Sequence, residues 1–379
     1  MQWSLPTRLP TERIDPHFPA ALIKPNPKSL PPPASATVTY HFWIGFYNHG
    51  SVVSHCDVSP KPISEIVMPL HMIPPTRRRF LQTTLVGGAA WLAPRYTGAA
   101  EFKPSDEWWA LLSDPHIDAD PKKSARGITM LDCLNRIIDE VLAEPSPPAG
   151  VIINGDCAFL RGLAEDYATL STALQRFADA DLPVHMTMGN HDDRGPFYDA
   201  FASQRADNPL VDGKHVSILS TPTTNLFLMD SLWEVNKVTG ELGQPQLDWL
   251  ASALDAHAEK PAIVIGHHNL QFLPKESQAT ISGLRDSQKL VDLLNARSHV
   301  QAYIFGHTHH WNVIEMHDEV NLVNLPACSY VFHPAHPNGW VKAKFGADQF
   351  ALELRALDHA HPQHGEKHKL RYTLTANAR

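Results

Sequence analysis

Seven oxygen and imidazole donors stand in five short polar clusters, each directly after an apolar run. The clusters are "SDPH" (113–116), "NGD" (154–156), "GNHDD" (189–193), "GHHN" (266–269) and "GHTHH" (306–310). The donors are Asp114, His116, Asp156, Asn190, His267, His307 and His309. Carboxylate, amide and imidazole without thiolate suit borderline cations such as Zn, Mn, Fe or Co. Seven ligands are too many for one such ion and about right for two that share a bridge. In "GHTHH" side chains two apart point the same way. His307 and His309 can therefore face one crevice while Thr308 and His310 do not. Taken singly each residue has an ordinary role: Asp114 and Asp156 as helix caps, His116 as a hydrogen-bonded surface histidine. Their meaning depends on whether the fold brings them together.

The elements that would do so alternate from residue 101 onward. "WWALLSD" (108–114), "GVIINGD" (150–156), "PVHMTMGNHD" (183–192), "NLFLMDS" (225–231), "PAIVIGHH" (261–268) and "VQAYIFGHTH" (300–309) are short apolar runs ending in polar turns, which predicts buried strands. Between them, Ile128, Leu131, Leu134, Ile137, Ile138 and Val141 recur at helical spacing. Residues 165–180, 244–258 and 284–296 also read as helices. "EVNLVNLPA" (319–327) and the tail segments "FALELRALD" and "HKLRYTL" alternate, and they are expected to pair as antiparallel strands. Buried strands separated by helices predict an α/β domain. In such sheets ligands bind beyond the carboxyl ends of the strands, where all five clusters fall.

The five blocks, D-P-H, G-D, G-N-H-D, G-H and G-H-T-H, in this order, resemble those of the calcineurin-like metallophosphoesterases. "MDSLWEVNKVTGELGQPQLDWLASAL" further resembles the branch holding cyclic-nucleotide and glycerophosphodiester phosphodiesterases. That branch often carries another acidic residue after the "GD", where this chain reads "GDCAFLRG". The resemblance implies a four-layer αββα sandwich with mixed sheets and two divalent or trivalent metal ions (Mn, Fe, Zn or Co). It assigns Asp114, His116 and His309 to one ion, Asn190, His267 and His307 to the other, and Asp156 as the bridge. A hydroxide shared by the ions would attack phosphorus, and His191, oriented by Asp192, would serve the departing oxygen. His267 is preferred to His268 because the family places its ligand directly after the strand and glycine. The expected activity is phosphodiester hydrolysis on a small phosphorylated substrate. The alternatives are a phosphomonoesterase, and an inactive metal-binding scaffold, although none of the seven positions is missing. Arg194 is a candidate for a substrate contact. Asp230 and His185 read as structural, and His333 and His336 as rim residues.

A formal charge of -8 and a pI near 6.3 argue against a nucleic-acid partner. The first 71 residues are proline-rich, without period, and are expected to be disordered. Arg77 and Arg78, a weakly apolar stretch and the small residues Gly98, Ala99 and Ala100 resemble a twin-arginine export signal over 72–100. The apolar stretch is too short for a stable membrane anchor. The expectations are recognition by the twin-arginine machinery, a periplasmic or extracellular location, and a catalytic domain over 101–379. A signal so far into the chain suggests that translation starts at Met68 or Met72. Cys56, Cys133, Cys157 and Cys328 contain no CxxC pair, and no disulfide framework is expected.

Overall fold

The computed structural model describes residues 107–372 except 207, 274–276 and 317–319. The proline-rich extension, the segment resembling an export signal, and Cys56 lie outside the described residues. In chain order the elements are β1 (Trp109–Ser113), a small hairpin of β2 (Ser124–Ala125) and β3 (Ile128–Thr129), α1 (Met130–Leu142), β4 (Gly150–Asn154), α2 (Ala164–Asp179) and β5 (Val184–Thr187). Then come α3 (Arg194–Ala200), β6 (Ser217–Ser220), β7 (Asn225–Leu228), α4 (Gln244–Ala256), β8 (Ala262–Ile265), α5 (Ser287–Asn295) and β9 (Val300–Phe305). The chain closes with β10 (Asn312–Ile314), β11 (Asn321–Asn324), β12 (Gly339–Phe345), β13 (Gln349–Ala356) and β14 (Lys367–Arg371).

Two six-stranded mixed sheets result, in the orders β14-β13-β12-β1-β4-β5 and β10-β11-β9-β8-β7-β6. β1, β4 and β5 run parallel, as do β7, β8, β9 and β11, while β12, β13 and β14 are joined antiparallel. β1 shows why the chain forms layers. Trp108, directly before it, and its residues Ala110 and Leu112 pack with Leu134, Ile137 and Ile138 of α1 and with Leu170 and Phe177 of α2. Trp109 and Leu111 point the other way, into a core shared with Leu226, Leu228, Ile263, Ile265 and Ile304 of the second sheet. Such a strand must be apolar throughout, because both its faces are covered. On the far side of the second sheet, α4 buries Leu247, Leu250 and Leu254, and α5 buries Leu290, Val291 and Leu294. The layering is the expected αββα sandwich. Among the described residues no helix is long and apolar enough to cross a membrane.

One expected pairing is wrong. The segment 319–327 does not join the tail strands: β11 lies in the second sheet, parallel to β9 with Asn321 opposite Ala302 and Asn324 opposite Phe305. Its strand is buried on both sides (Asn321, Val323, Asn324), so the alternation of "NLVN" did not mark a half-exposed edge. The tail strand β13 does alternate, with Phe350, Leu352, Leu354 and Ala356 buried, and it pairs antiparallel with β14 as expected.

Candidate metal centre

The five clusters meet where the two sheets converge: β1, β4 and β5 deliver three of them from one sheet, β8 and β9 two from the other. The chain reverses sharply at each strand end, and five of the seven donors carry left-handed backbone. These are Asp114 (φ 52°), His116 (49°), Asp156 (47°), His307 (66°) and His309 (52°). Each such residue costs on the order of 1–3 kcal/mol and persists only where its surroundings impose it. The turns are stitched together, the Asp114 N–H donating to the Gly155 carbonyl (3.2 Å) and the His116 N–H to that of Asp156 (3.0 Å). Glycine is required at two positions by close approach. A Cβ at Gly189 would overlap the Asp156 carboxylate, and one at Gly306 would overlap the Ser113 hydroxyl and the Asp114 carboxylate.

All seven side chains are buried. Asp114, His116 and His309 form one group with ligand atoms in mutual reach; Asp156, His267 and His307 form another, and Asp156 also groups with His116 and His191. The His267 Nε2 lies 3.2 Å from Asp156 Oδ2, and His116 Nε2 lies 3.7 Å from the same oxygen. His309 Nε2 is 3.3 Å from Asp114 Oδ1.

Whether these residues fit metal ions is decided by the ring nitrogens. Each of the four imidazoles faces a backbone carbonyl with one nitrogen. His116 Nδ1 meets Phe159 O (3.3 Å), His267 Nδ1 meets Asn154 O (2.8 Å), His307 Nε2 meets Ser282 O (2.8 Å) and His309 Nδ1 meets Tyr330 O (2.6 Å). A carbonyl accepts only, so one proton of each ring is fixed there, and whenever a ring is neutral its other nitrogen presents a lone pair inward. His116 Nε2 and His309 Nε2 lie only 3.0 Å apart. Two neutral rings so held set lone pair against lone pair, a contact that a shared cation resolves. Asn190 Oδ1 is also buried without a hydrogen-bond partner, which such burial makes costly. The donor set fits two borderline cations.

The charges agree. Burial opposes ionisation of Asp114, yet His267 and His309 outweigh it and hold the carboxyl well below its usual range. Burial pushes His116 down to about 3, and burial together with His267 pushes His307 down to about 4, so both rings are neutral at physiological pH. His267 goes the other way, because Asp156 and Asp114 overcome its burial and raise it to about 10.

Other expectations are corrected or sharpened. Asp192 does not orient the His191 ring. Its buried carboxylate accepts the N–H groups of Cys157 (3.2 Å), Ala158 (3.1 Å) and Gly189 (2.9 Å) and the Tyr167 hydroxyl (3.0 Å). It therefore ties the second cluster to the third. Burial and the nearby Asp156 raise its carboxyl to about 6. His191 is held instead through Nδ1 on the Leu160 carbonyl (2.9 Å), and its backbone N–H donates to Asp156 Oδ1 (2.9 Å). His268 presents Nδ1 to the Ser231 hydroxyl (2.7 Å) while its ring packs against that of His307, with centroids 4.5 Å apart. His310 stacks on His336, with ring centroids 3.8 Å apart, away from both donor groups. Arg194 makes a two-pronged pair with the buried Asp230, at 2.7 and 2.8 Å. Arg194→Lys, which loses the fork geometry, is expected to cost about 2 kcal/mol in thermal or urea unfolding with unaltered KM for a small diester. A raised KM would return Arg194 to the substrate. Three residues escaped the motifs: Tyr330 stacks on His116, Phe332 stacks on His309, and Arg126 lies over Phe332. The only sequence trace was aromatics two apart in "SYVFHP", which carries no chemistry alone.

A family model described as calcineurin-like phosphoesterase matches residues 109–311, more than half of the 379. The chain belongs to that family. A protein of Synechococcus sp. strain WH7803 named "probable cyclic nucleotide phosphodiesterase" is 28% identical over 238 residues, 60% of this chain and 84% of its own. The 3',5'-cyclic adenosine monophosphate phosphodiesterase CpdA of Haemophilus influenzae is 25% identical over 258 residues, 66% of this chain and 89% of its own. Among solved structures, a dimetal phosphatase from Danio rerio shares the fold at a TM-score of 0.54 and 15% identity, covering 71% of this chain and all (100%) of that one. The protein is thus a metal-dependent phosphoesterase of a dinuclear family.

Proposed function

We propose that the protein hydrolyses phosphodiesters, with cyclic nucleotides as the substrate class. Asp114, His116 and His309 would hold one ion, Asn190, His267 and His307 the other, with Asp156 between them. The close approach of His116 Nε2 and His309 Nε2, 3.0 Å apart with each ring's other nitrogen on a backbone carbonyl, carries this reading. When bound, two such cations lower the pKa of water and neutralise phosphoryl oxygens.

The chain's own groups do the rest. Backbone carbonyls hold each imidazole in one orientation, so the rings need not turn to bind, and His267 gives up its second proton. His191 has Nδ1 on the Leu160 carbonyl, which fixes one proton there; as an imidazolium it would give its Nε2 proton to the departing alkoxide oxygen and become neutral. The diester reading is favoured over the monoester because the two basic side chains of Arg194 and Lys214 are committed elsewhere. Arg194 serves Asp230, and the Lys214 ammonium donates to the carbonyls of Asp230 (3.3 Å), Leu232 (3.0 Å) and Glu241 (2.8 Å). A diester carries one negative charge where a monoester carries nearly two. The names of the relatives support cyclic nucleotides in particular.

With Mn supplied, bis(p-nitrophenyl) phosphate and 3',5'-cyclic AMP are expected to turn over with higher kcat/KM than p-nitrophenyl phosphate. The reverse order would establish a phosphatase, and no turnover in folded, metal-loaded protein would leave a scaffold. Export through the twin-arginine route to the periplasm or exterior is part of the proposal, supported by Arg77, Arg78 and the small residues 98–100. Cell fractionation of the wild type and of an Arg77→Lys, Arg78→Lys double variant tests it, since the variant should remain inside.

A further inference from the structure

We infer that Phe332 and Arg126 form the seat for the planar base of the nucleotide, beside the His309 edge of the centre; this rests on the phosphodiesterase reading above. The Phe332 ring lies on the His309 imidazole, with centroids 4.3 Å apart and planes at 23°. It touches a candidate ligand yet remains 39% exposed, unusually open for a phenylalanine so placed. Tyr330 lies on His116 at 5.1 Å and meets Phe332 edge-on at 6.0 Å and 64°, so two rings wall this side of the centre. The Arg126 guanidinium stands over the Phe332 ring at 5.2 Å.

Arg126 is placed there by the turn of a small hairpin. It is the first residue of the two-residue turn between β2 and β3, where Ala125 pairs with Ile128. Both turn residues have positive φ, Arg126 at 51° and Gly127 at 80°, as a tight hairpin requires. Asparagine or aspartate normally stands first in such turns; arginine accepts the strain and gains a cation at the mouth. Aromatic rings and guanidinium planes are the surfaces on which proteins stack nucleobases. The positive charge also suits an anionic nucleotide on a chain whose formal charge is -8.

A second cation–aromatic pair, Arg285 over Trp233 at 4.8 Å, is the natural competitor. Trp233 is tied to the centre through its loop, where the Asn236 N–H donates to the Asn190 carbonyl (2.6 Å). Phe332 has the direct stack.

The test measures, in metal-loaded full-length protein, KM for 3',5'-cyclic AMP and inhibition by 5'-AMP and by inorganic phosphate. Phosphate probes the metals without a base. Phe332→Ala should raise KM and the 5'-AMP inhibition constant by roughly tenfold or more, the weight of one base–aromatic stack. Arg126→Ala should raise both severalfold, Phe332→Trp should restore them, and phosphate inhibition should move much less. The seat is overturned if Phe332→Ala leaves both constants in place, or if Trp233→Ala produces the effect instead. It is also overturned if phosphate inhibition weakens as much as 5'-AMP inhibition, because the ring would then only prop His309. If wild-type protein cleaves bis(p-nitrophenyl) phosphate but no cyclic nucleotide, and 5'-AMP inhibits no better than phosphate, the seat falls while diester hydrolysis stands.

Discussion

Asp156→Asn is expected to lower phosphodiester turnover by roughly a thousandfold, on the scale of losing a main electrostatic group of an active site, while the chain still folds. Asp156 shares one donor group with His267 and His307 and another with His116 and His191, which places it between the two sides. Asparagine keeps its size, and its amide oxygen can still accept the His191 N–H that Asp156 Oδ1 accepts at 2.9 Å. The charge between the two sites disappears, so the variant should bind fewer than two ions per chain by elemental analysis. His310→Ala is the comparison. Its ring packs on His336 outside both groups, and the substitution should change activity little. If both variants lose activity equally, Asp156 is not the bridge. If Asp156→Asn keeps both ions and its turnover, the assignment of the whole centre fails.

The centre was legible because its donors follow directly from strand ends, and strands buried on both faces announce themselves as apolar runs. Blocks nearly 200 residues apart become neighbours through the sheet order alone, which the family resemblance supplied. What escaped depended on contacts rather than pattern. β12 carries glycine and two lysines in "GWVKAKF", so its inward residues Trp340, Val341, Ala343 and Phe345 formed no clean run, yet it pairs with β1 at the middle of its sheet. β11 was assigned to the wrong partners because alternation says which way side chains point and not which strand lies beside them. Asp192 follows His191 in the chain, but successive residues at the turn point apart, so proximity in sequence misled about its partner. The aromatic wall of Tyr330 and Phe332 is made by a loop laid across His116 and His309. No periodicity records that placement.

Chelation of the metals should lower the unfolding temperature by about 10 °C, reversibly. Ligand at a thousand times its dissociation constant stabilises by about 4 kcal/mol, and a domain of this size shifts by roughly 2–4 °C per kcal/mol. The difference should also widen as pH rises from about 7.5 to 9.5, a range set by His267. Its folded value in the metal-free protein, about 10, lies above the ordinary 6.5, because Asp156 and Asp114 overcome the effect of burial. The attraction among these three groups therefore stabilises the metal-free fold fully below pH 6.5 and is lost as pH climbs through 10. A metal-bound imidazole is neutral, so uptake must expel that proton, and expulsion becomes easier as pH rises. His116 and His307, at about 3 and about 4, are neutral in the folded chain throughout this range and add no slope. Groups the metals do not touch cancel when chelated and loaded samples are compared at each pH. Melting curves at several pH values, with and without chelator, give the result directly. A difference that narrows with pH would mean that His267 is already neutral before metal arrives, and that the two carboxylates do not hold its proton.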